Sequence, residues 1–326
     1  MAVEVLIDGY DFTDDVKDLP YLDENVPEWG QTDDQILNEA MSLVLPTSHQ
    51  SFFDGRPNSD ITVEIKRNGI TQFEGFIDNI IYDLRSLTVN CKGFTSVLFN
   101  GYLTDEGSAY VIDDAYPVDI VKEILTLAGL SMNDTSYNEA YSIQKALDMR
   151  FSVTTDELSY AEILEKVAEV TCGIIYINGT EFHYEMYNSN KVEPSFDIED
   201  TDWLIYPTIE TPPAFSSVFN GVDVTFGSGT LQYTLFGRDE PSKQIDMSAS
   251  GSPVYTGRLD VALYVAELYD YIGNHKKQEL KGTLKKAVGN ILQKKSAIKW
   301  GGIVYEMINI NNQSSLGTQV LAEAIV

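Results

Sequence analysis

The chain reads as an α+β protein, mostly β, in which two β-rich domains flank a small α+β module. Three observations predict this. Period-2 alternation of apolar and polar residues fills much of residues 61–99. Apolar stripes at helical spacing are concentrated in residues 105–205, where they lead into a hairpin pattern. Alternation then returns from about Tyr206, with one further helix before the C-terminal strands. At 326 residues the chain exceeds one ordinary core, and the pattern divides it into 1–104, 105–205 and 206–326.

Residues 3–7 open as a strand that stops at the Asp8-Gly9 turn signal. Asp8, Asp11, Asp14 and Asp15 cluster behind it, but the alternating ligands, central Gly and terminal Glu of an EF-hand loop are missing. An exposed turn fits them better than a calcium loop. Pro20, Pro27 and Gly30 break regular structure between Val16 and Gln35, so this segment reads as a long loop carrying Trp29. Apolar character resumes over residues 36–45 and stops at Pro46. Phe52 and Phe53 sit beside the Asp54-Gly55 turn signal, either as a core plug or as a partner contact.

The stretch that organises the first domain begins at Ile61. Ile61, Val63 and Ile65 alternate with Thr62, Glu64 and Lys66. Asn68-Gly69 follows, a dipeptide suited to a type I′ hairpin because both residues tolerate positive φ. Phe73, Gly75 and Ile77 alternate with Gln72, Glu74 and Asp78, and Leu87, Val89 and Cys91 with Thr88, Asn90 and Lys92. A three-stranded meander with one dry face results.

In the middle module Pro117 stands at a first helical position. Ile120, Val121, Ile124, Leu125 and Ala128 form the stripe, and Gly129 caps the end. A second helix starts at Ser159, a capping residue, with Ile163, Leu164, Val167 and Val170 facing inward and Glu162, Glu165 and Glu169 outward with Lys166. It leads through Gly173 into Ile174–Ile177, turns at Asn178-Gly179, and returns as Phe182, Tyr184 and Met186 alternating with Glu181, His183 and Glu185. Beyond it, Val222, Val224 and Phe226 mark a strand, and Val261, Tyr264, Val265, Leu268 and Ile272 a helix. Ile303–Ile310 and Gln319–Ile325 read as closing strands.

Charge narrows the functions available. Fifty acidic against 22 basic residues give −28, which opposes binding to phosphate backbones and to anionic membranes. The basic residues concentrate late, as Lys276, Lys277, Lys281, Lys285, Lys286, Lys294, Lys295 and Lys299. They lack the arginines and stacking aromatics of a nucleic-acid site, and fit lysines that blunt a sheet edge or meet a neighbour's acidic surface. Cys91 and Cys172 read as reduced and buried. No run of 18 apolar residues predicts a membrane span, and the N-terminal stretch lacks signal-peptide character.

No catalytic signature emerges. His49, His183 and His275 are isolated, so zinc has no ligand set, and neither a GxSxG elbow nor a GxxxxGK[ST] or GxGxxG phosphate loop is present. No cofactor is implied. A carboxylate pair for cell-wall cleavage remains open among 50 acids, since its separation is not a sequence property.

The order of elements resembles the baseplate or tail hub proteins of tailed phages and contractile injection systems, of the late-control-protein-D type. The resemblance rests on the Ile61–Ile77 hairpin with its Phe-Glu-Gly-Phe-Ile ending, followed by Leu87–Lys92. It rests also on Ile124-Leu-Thr-Leu-Ala-Gly-Leu130, on the helix-to-hairpin run Tyr160–Tyr176, and on Asn220-Gly-Val-Asp-Val224. It implies two β-barrel-like, tail-tube-like domains and a non-enzymatic homotrimer of pseudo-sixfold symmetry. That ring joins the tail tube, or a distal tail protein, to a central spike or fibre, meets the tape-measure protein, and lets DNA pass without binding it. No lysozyme-like, LysM-like or peptidase module matches, and the C-terminal third matches least. An acidic lumen is expected, with the late lysines, Lys276, Lys277, Lys285 and Lys286 among them, turned to protein partners. The polar face Thr62, Glu64, Gln72, Glu74 and Asp78 meets either the lumen or a neighbouring subunit. The alternative is a tail-tip receptor- or glycan-binding protein using Trp29, Phe52 and Phe53, with a tail-associated hydrolase third.

Overall fold

The structure is a computed structural model. It describes residues 3–17, 23–25, 40–67, 69–103, 110–155, 158–178, 180–187, 196–210, 221–226, 229–234, 243–246, 253–255, 259–274, 277–289, 292, 296–311 and 317–325. Strands dominate, and the two larger sheets curl as half-barrels.

The first half-barrel orders its strands Tyr10–Asp11, Val3–Ile7, Thr62–Arg67, Ile70–Tyr82, Ser86–Gly93, Ala40–Pro46. The predicted meander is its centre. Alternation in sequence becomes alternation in burial, strictly so along Ser86–Gly93. Val5, Leu43, Ile65, Ile77 and Val89 line the dry face. Asp8 and Gly9 turn the chain at φ of 52° and 78°, and Gly69 stands at 80° in the Asn-Gly hairpin. At Gly75 a side chain would collide with the Lys92 backbone, so glycine permits the close approach of the two long strands.

The middle core is built on helices with readable ends. Pro117–Leu127 starts on proline, and its Leu125 carbonyl accepts the Leu130 N–H at 2.8 Å across Gly129, at φ 74°. Ser159 and Glu162 form a capping box on Tyr160–Thr171. That helix ends on Cys172 in a left-handed conformation rather than on Gly173. Glu169, expected to face out, is 8% exposed and pairs with Lys166 at 2.8 Å.

A further helix, Asp134–Ala146, stands between the two expected ones. Its buried stripe is Ser136, Ala140 and Gln144, which carries no hydrophobic signal. Ala140 packs in the core with Tyr137, Tyr141 and Ile143 partly buried against it, and polar bonds add to this. Ser136 Oγ accepts the Tyr184 N–H at 2.8 Å and donates to the Tyr184 carbonyl at 2.7 Å. Gln144 accepts the Val118 N–H at 2.9 Å and donates to Tyr184 Oη at 3.2 Å, and Tyr184 donates to Thr171 Oγ1 at 2.7 Å. Two helices, Asp134–Ala146 and Tyr160–Thr171, thus bond to one tyrosine of the Gly173–Asn178/Glu181–Met186 hairpin, with Pro117–Leu127 joined through Gln144, and burial pushes that hydroxyl well above the usual phenol range.

The core clusters cross the division expected at 206. Val222, Val224, Ile245, Val261 and Ile272 belong to the middle core, and the Tyr269 hydroxyl of helix Leu259–Asn274 donates to the Glu169 carbonyl at 2.7 Å. The second half-barrel instead orders Phe196–Asp197, Ala297–Trp300, Ile303–Asn311, Gly317–Ile325, Lys277–Lys285 and Trp203–Glu210. Asp23–Asn25, inside the segment expected to be a loop, is a strand that pairs with Ile303–Asn311. The N-terminal part of the chain therefore contributes to the C-terminal sheet.

Tyr184→Phe should destabilise the fold by about 1–3 kcal/mol, because Gln144 loses a buried acceptor, and Tyr269→Phe by about 1 kcal/mol. Urea unfolding midpoints check this; unchanged midpoints would show that the hydroxyls do not tie the helices together.

Candidate assembly surfaces

The sequence-predicted contact residues separate into different environments. Phe53 is 2% exposed and packs with Phe12 in the first core, so it is a plug and not a partner contact. Phe52 is half-buried; its ring makes edge contacts with Tyr10 (5.6 Å), Phe12 (5.1 Å) and Phe53 (5.1 Å). Arg56 lies 5.4 Å from the Phe52 centroid and pairs with Asp8 at 2.6 Å. The four N-terminal aspartates do not converge. Asp8 goes to Arg56, Asp15 faces His49 at 3.3 Å, and Asp11 accepts the Thr13 N–H at 2.9 Å. Trp29 lies outside the described residues.

Lys276 also lies outside the described residues, as do the side chains of Lys277 and Lys286. Lys285 is exposed at the end of Lys277–Lys285. That strand is not an edge: it pairs with Gly317–Ile325 on one side and Trp203–Glu210 on the other, so its lysines do not blunt an edge. Lys281 pairs within the sheet, with Glu210 at 3.0 Å and Glu279 at 3.1 Å, and these bonds raise its pKa.

The polar face of the meander is internally bonded. Ser42 donates to Asn90 and Asn90 to Asn79, both at 2.6 Å, while Lys92 pairs with Asp78 at 2.8 Å and Lys66 with Glu64 at 2.9 Å. Glu74 is pushed up, first by burial and then by the Glu64 carboxylate. This face presents carboxylates held in place by neighbours.

Two apolar surfaces escaped the sequence reading. The first is the tip of the Ile70–Tyr82/Ser86–Gly93 hairpin, where Ile81 is 56%, Tyr82 50% and Leu84 95% exposed. The second is the edge strand Trp203–Glu210, with Leu204, Ile205, Tyr206 and Ile209 between 47% and 61% exposed. Consecutive apolar residues, Ile80-Ile81-Tyr82 and Leu204-Ile205-Tyr206, were the available signal, since a half-buried strand should alternate. The edge strand is pinned down. Trp203 and Pro207 cover Gly282, and Leu204 reaches over Gly317. Tyr206 Oη and Trp300 Nε1 both donate to Asp200, at 3.2 and 3.0 Å.

With these surfaces placed, comparison of the whole chain is informative. It superposes on the 43 kDa tail protein of prophage MuSo2 from Shewanella oneidensis with a TM-score of 0.62 at 11% identity, covering 99% of this chain and 97% of that one. The tail protein from Neisseria meningitidis MC58 gives 0.61 at 10% identity (99% and 96% covered). Prophage tail protein gp18 from Listeria monocytogenes EGD-e gives 0.58 at 10% identity (99% and 94% covered). The chain shares its fold with prophage tail proteins. No family model matches it, and no curated protein matches its sequence. The likeness lies in the order and packing of elements, as the sequence resemblance did.

Phe53→Ala should lower stability by about 3–5 kcal/mol, as for a truncated core aromatic. Phe52→Ala, with part of its ring already in solvent, should cost about half as much or less. Denaturant unfolding separates the two, and equal small losses would argue against the plug.

Proposed function

We propose that this chain is a structural hub of a phage tail tip or baseplate. Three copies form a ring of pseudo-sixfold symmetry that joins the tail tube to a central spike or fibre complex and encloses the DNA channel. The observation that carries the reading is the likeness of fold, along 99% of the chain, to three prophage tail proteins. A place in the virion follows from it, with a tube or distal tail protein, a tape-measure protein and a spike or fibre as partners.

Two half-barrel sheets per chain suit the geometry, because three copies of two similar walls present six. The middle core, with the strands and helix of residues 221–274, decorates the outside. Charge supports the channel: a wall rich in carboxylates repels phosphate, whereas each exposed cation would hold DNA by releasing counterions. The bonded polar face around Glu64, Glu74 and Asp78 is our choice for the lumen. The role is architectural and non-enzymatic.

Native mass spectrometry of the purified chain at high concentration should give three times 36.4 kDa, and complexes with its tail partners should contain three copies of it. Electron microscopy should show a ring of that composition. A ring of another copy number, or late lysines lining its channel, would contradict the reading.

A further inference from the structure

The hub reading gives each copy two half-barrel walls at neighbouring places in a ring, so the angle between them has to be held. Their apolar cores are separate clusters. Among the described residues no strand of one sheet pairs with a strand of the other. Fixing the angle therefore falls to elements that touch both walls.

Two such routes are present among the described residues. One runs through the middle core. There the Tyr160 N–H donates to the Gly101 carbonyl at 2.9 Å just beyond the first wall, and the Glu306 carboxylate of the second wall reaches Tyr176 and Tyr187 electrostatically. The other route is the short strand Asp23–Asn25. It pairs with Ile303–Asn311, setting Asn25 against Asn309, Glu24 against Ile310 and Asp23 against Asn311. It takes the part of that edge which Ala297–Trp300, paired over Ile303–Glu306, leaves open.

The second route has a telling topology. The chain is fixed to the first wall before the strand, where the Lys17 N–H donates to the Val44 carbonyl at 2.9 Å. It is fixed to the same wall again afterwards, where Ala40 opens the strand Ala40–Pro46. Both ends of the excursion belong to one wall, so covalent continuity does not join the two walls here. Three paired positions are the whole connection. While they hold, Asp23 and the edge it pairs with stay within about 20 Å of Lys17, since the chain between them reaches no further when extended. Once they part, this tie is gone.

The pairing is built to give way. Asp, Glu and Asn are poor strand formers, so the open edge makes this segment a strand rather than its own sequence. So short a strand adds few ladder bonds and has no stability of its own.

We propose that Asp23–Asn25 is a releasable strap that sets the angle between the two half-barrel walls of one copy. Paired, it holds the walls in the arrangement a closed ring needs. Unpaired, it lets them turn about the middle core. The coupling within one chain stands independently of the hub reading, and its use in ring closure rests on that reading.

The test is Asp23→Pro combined with Glu24→Pro in the full chain. Neighbouring strand residues point their N–H groups to opposite sides, so one of the two substitutions removes a ladder donor whichever way the strand faces. Spin labels on p-acetylphenylalanine introduced at Glu4 and Lys299, exposed strand positions on the two walls, report the distance between them. With the native strap the distance distribution should be single and narrow. In the double variant it should be about twice as broad or more, as for walls freed to turn about a hinge. Hydrogen exchange at the Asn309–Asn311 amides should quicken, and circular dichroism should not change. Ring assembly should weaken about 10-fold, because a preorganised angle is lost.

A distribution that stays narrow while those amides exchange faster overturns the strap and assigns the angle to the middle core. Exchange unchanged by the substitutions overturns it as well, because the strand was then never paired there. A double variant that does not fold has the same consequence, since a releasable strap carries no fold. Ring assembly that is unaffected by a broadened distribution overturns the role in closure. A native chain that forms no ring, while its strap still narrows the distance, sinks the hub reading and leaves the strap standing.

Discussion

Fifty carboxylates against 22 lysines and arginines set a repulsion that folding and assembly must both work around. Within the chain the scarce cations are placed where they count: Arg56 on Asp8, Lys92 on Asp78, Lys166 on Glu169, Lys281 between Glu210 and Glu279. Most of these pairs are exposed enough to add little stability, so the fold rests on its apolar cores. Three clusters supply them, and each closes around its own sheet or helix set.

The same constraint connects architecture with the proposed role. Half-barrel walls place one polar face of each sheet toward solvent, and in the first sheet that face is a ladder of Ser42, Asn90 and Asn79 beside paired Lys92 and Asp78. Such a face is well ordered, acidic at Glu64 and Glu74, and poor in unpaired cations, which suits a wall that nucleic acid passes. The middle core is fastened by specific bonds, with Tyr184 joining two helices to a hairpin and Tyr269 bringing in the late helix. A rigid module of this kind can sit outside a ring without loosening its wall.

Much of the fold was legible in the residues. The meander, both Asn-Gly hairpins and the proline-started, glycine-stopped helix follow from local rules acting over a few positions. What escaped depends on long-range partners. Helix Asp134–Ala146 buries Ser136 and Gln144, polar residues whose shared partner Tyr184 lies 48 and 40 positions away in the hairpin. The alternation of Val222 and Val224 shows a dry face but not which core it serves. Asp23–Asn25 is a strand only because Ile303–Asn311 offers it an edge. Exposure fared similarly: Phe53, open in the sequence between core plug and partner contact, is buried, while the runs at Ile81 and Leu204, of which the sequence reading said nothing, are exposed.

Self-association against a background of like charge has a distinctive salt response. Sedimentation equilibrium of the full chain across sodium chloride concentrations measures it, since the Debye length falls from about 10 Å at 0.1 M to about 3 Å at 1 M. The account predicts that self-association tightens as salt rises, because screening removes the repulsion between acidic copies. Association that weakens steadily with salt would show that lysine–carboxylate pairs hold the copies together, and would contradict it.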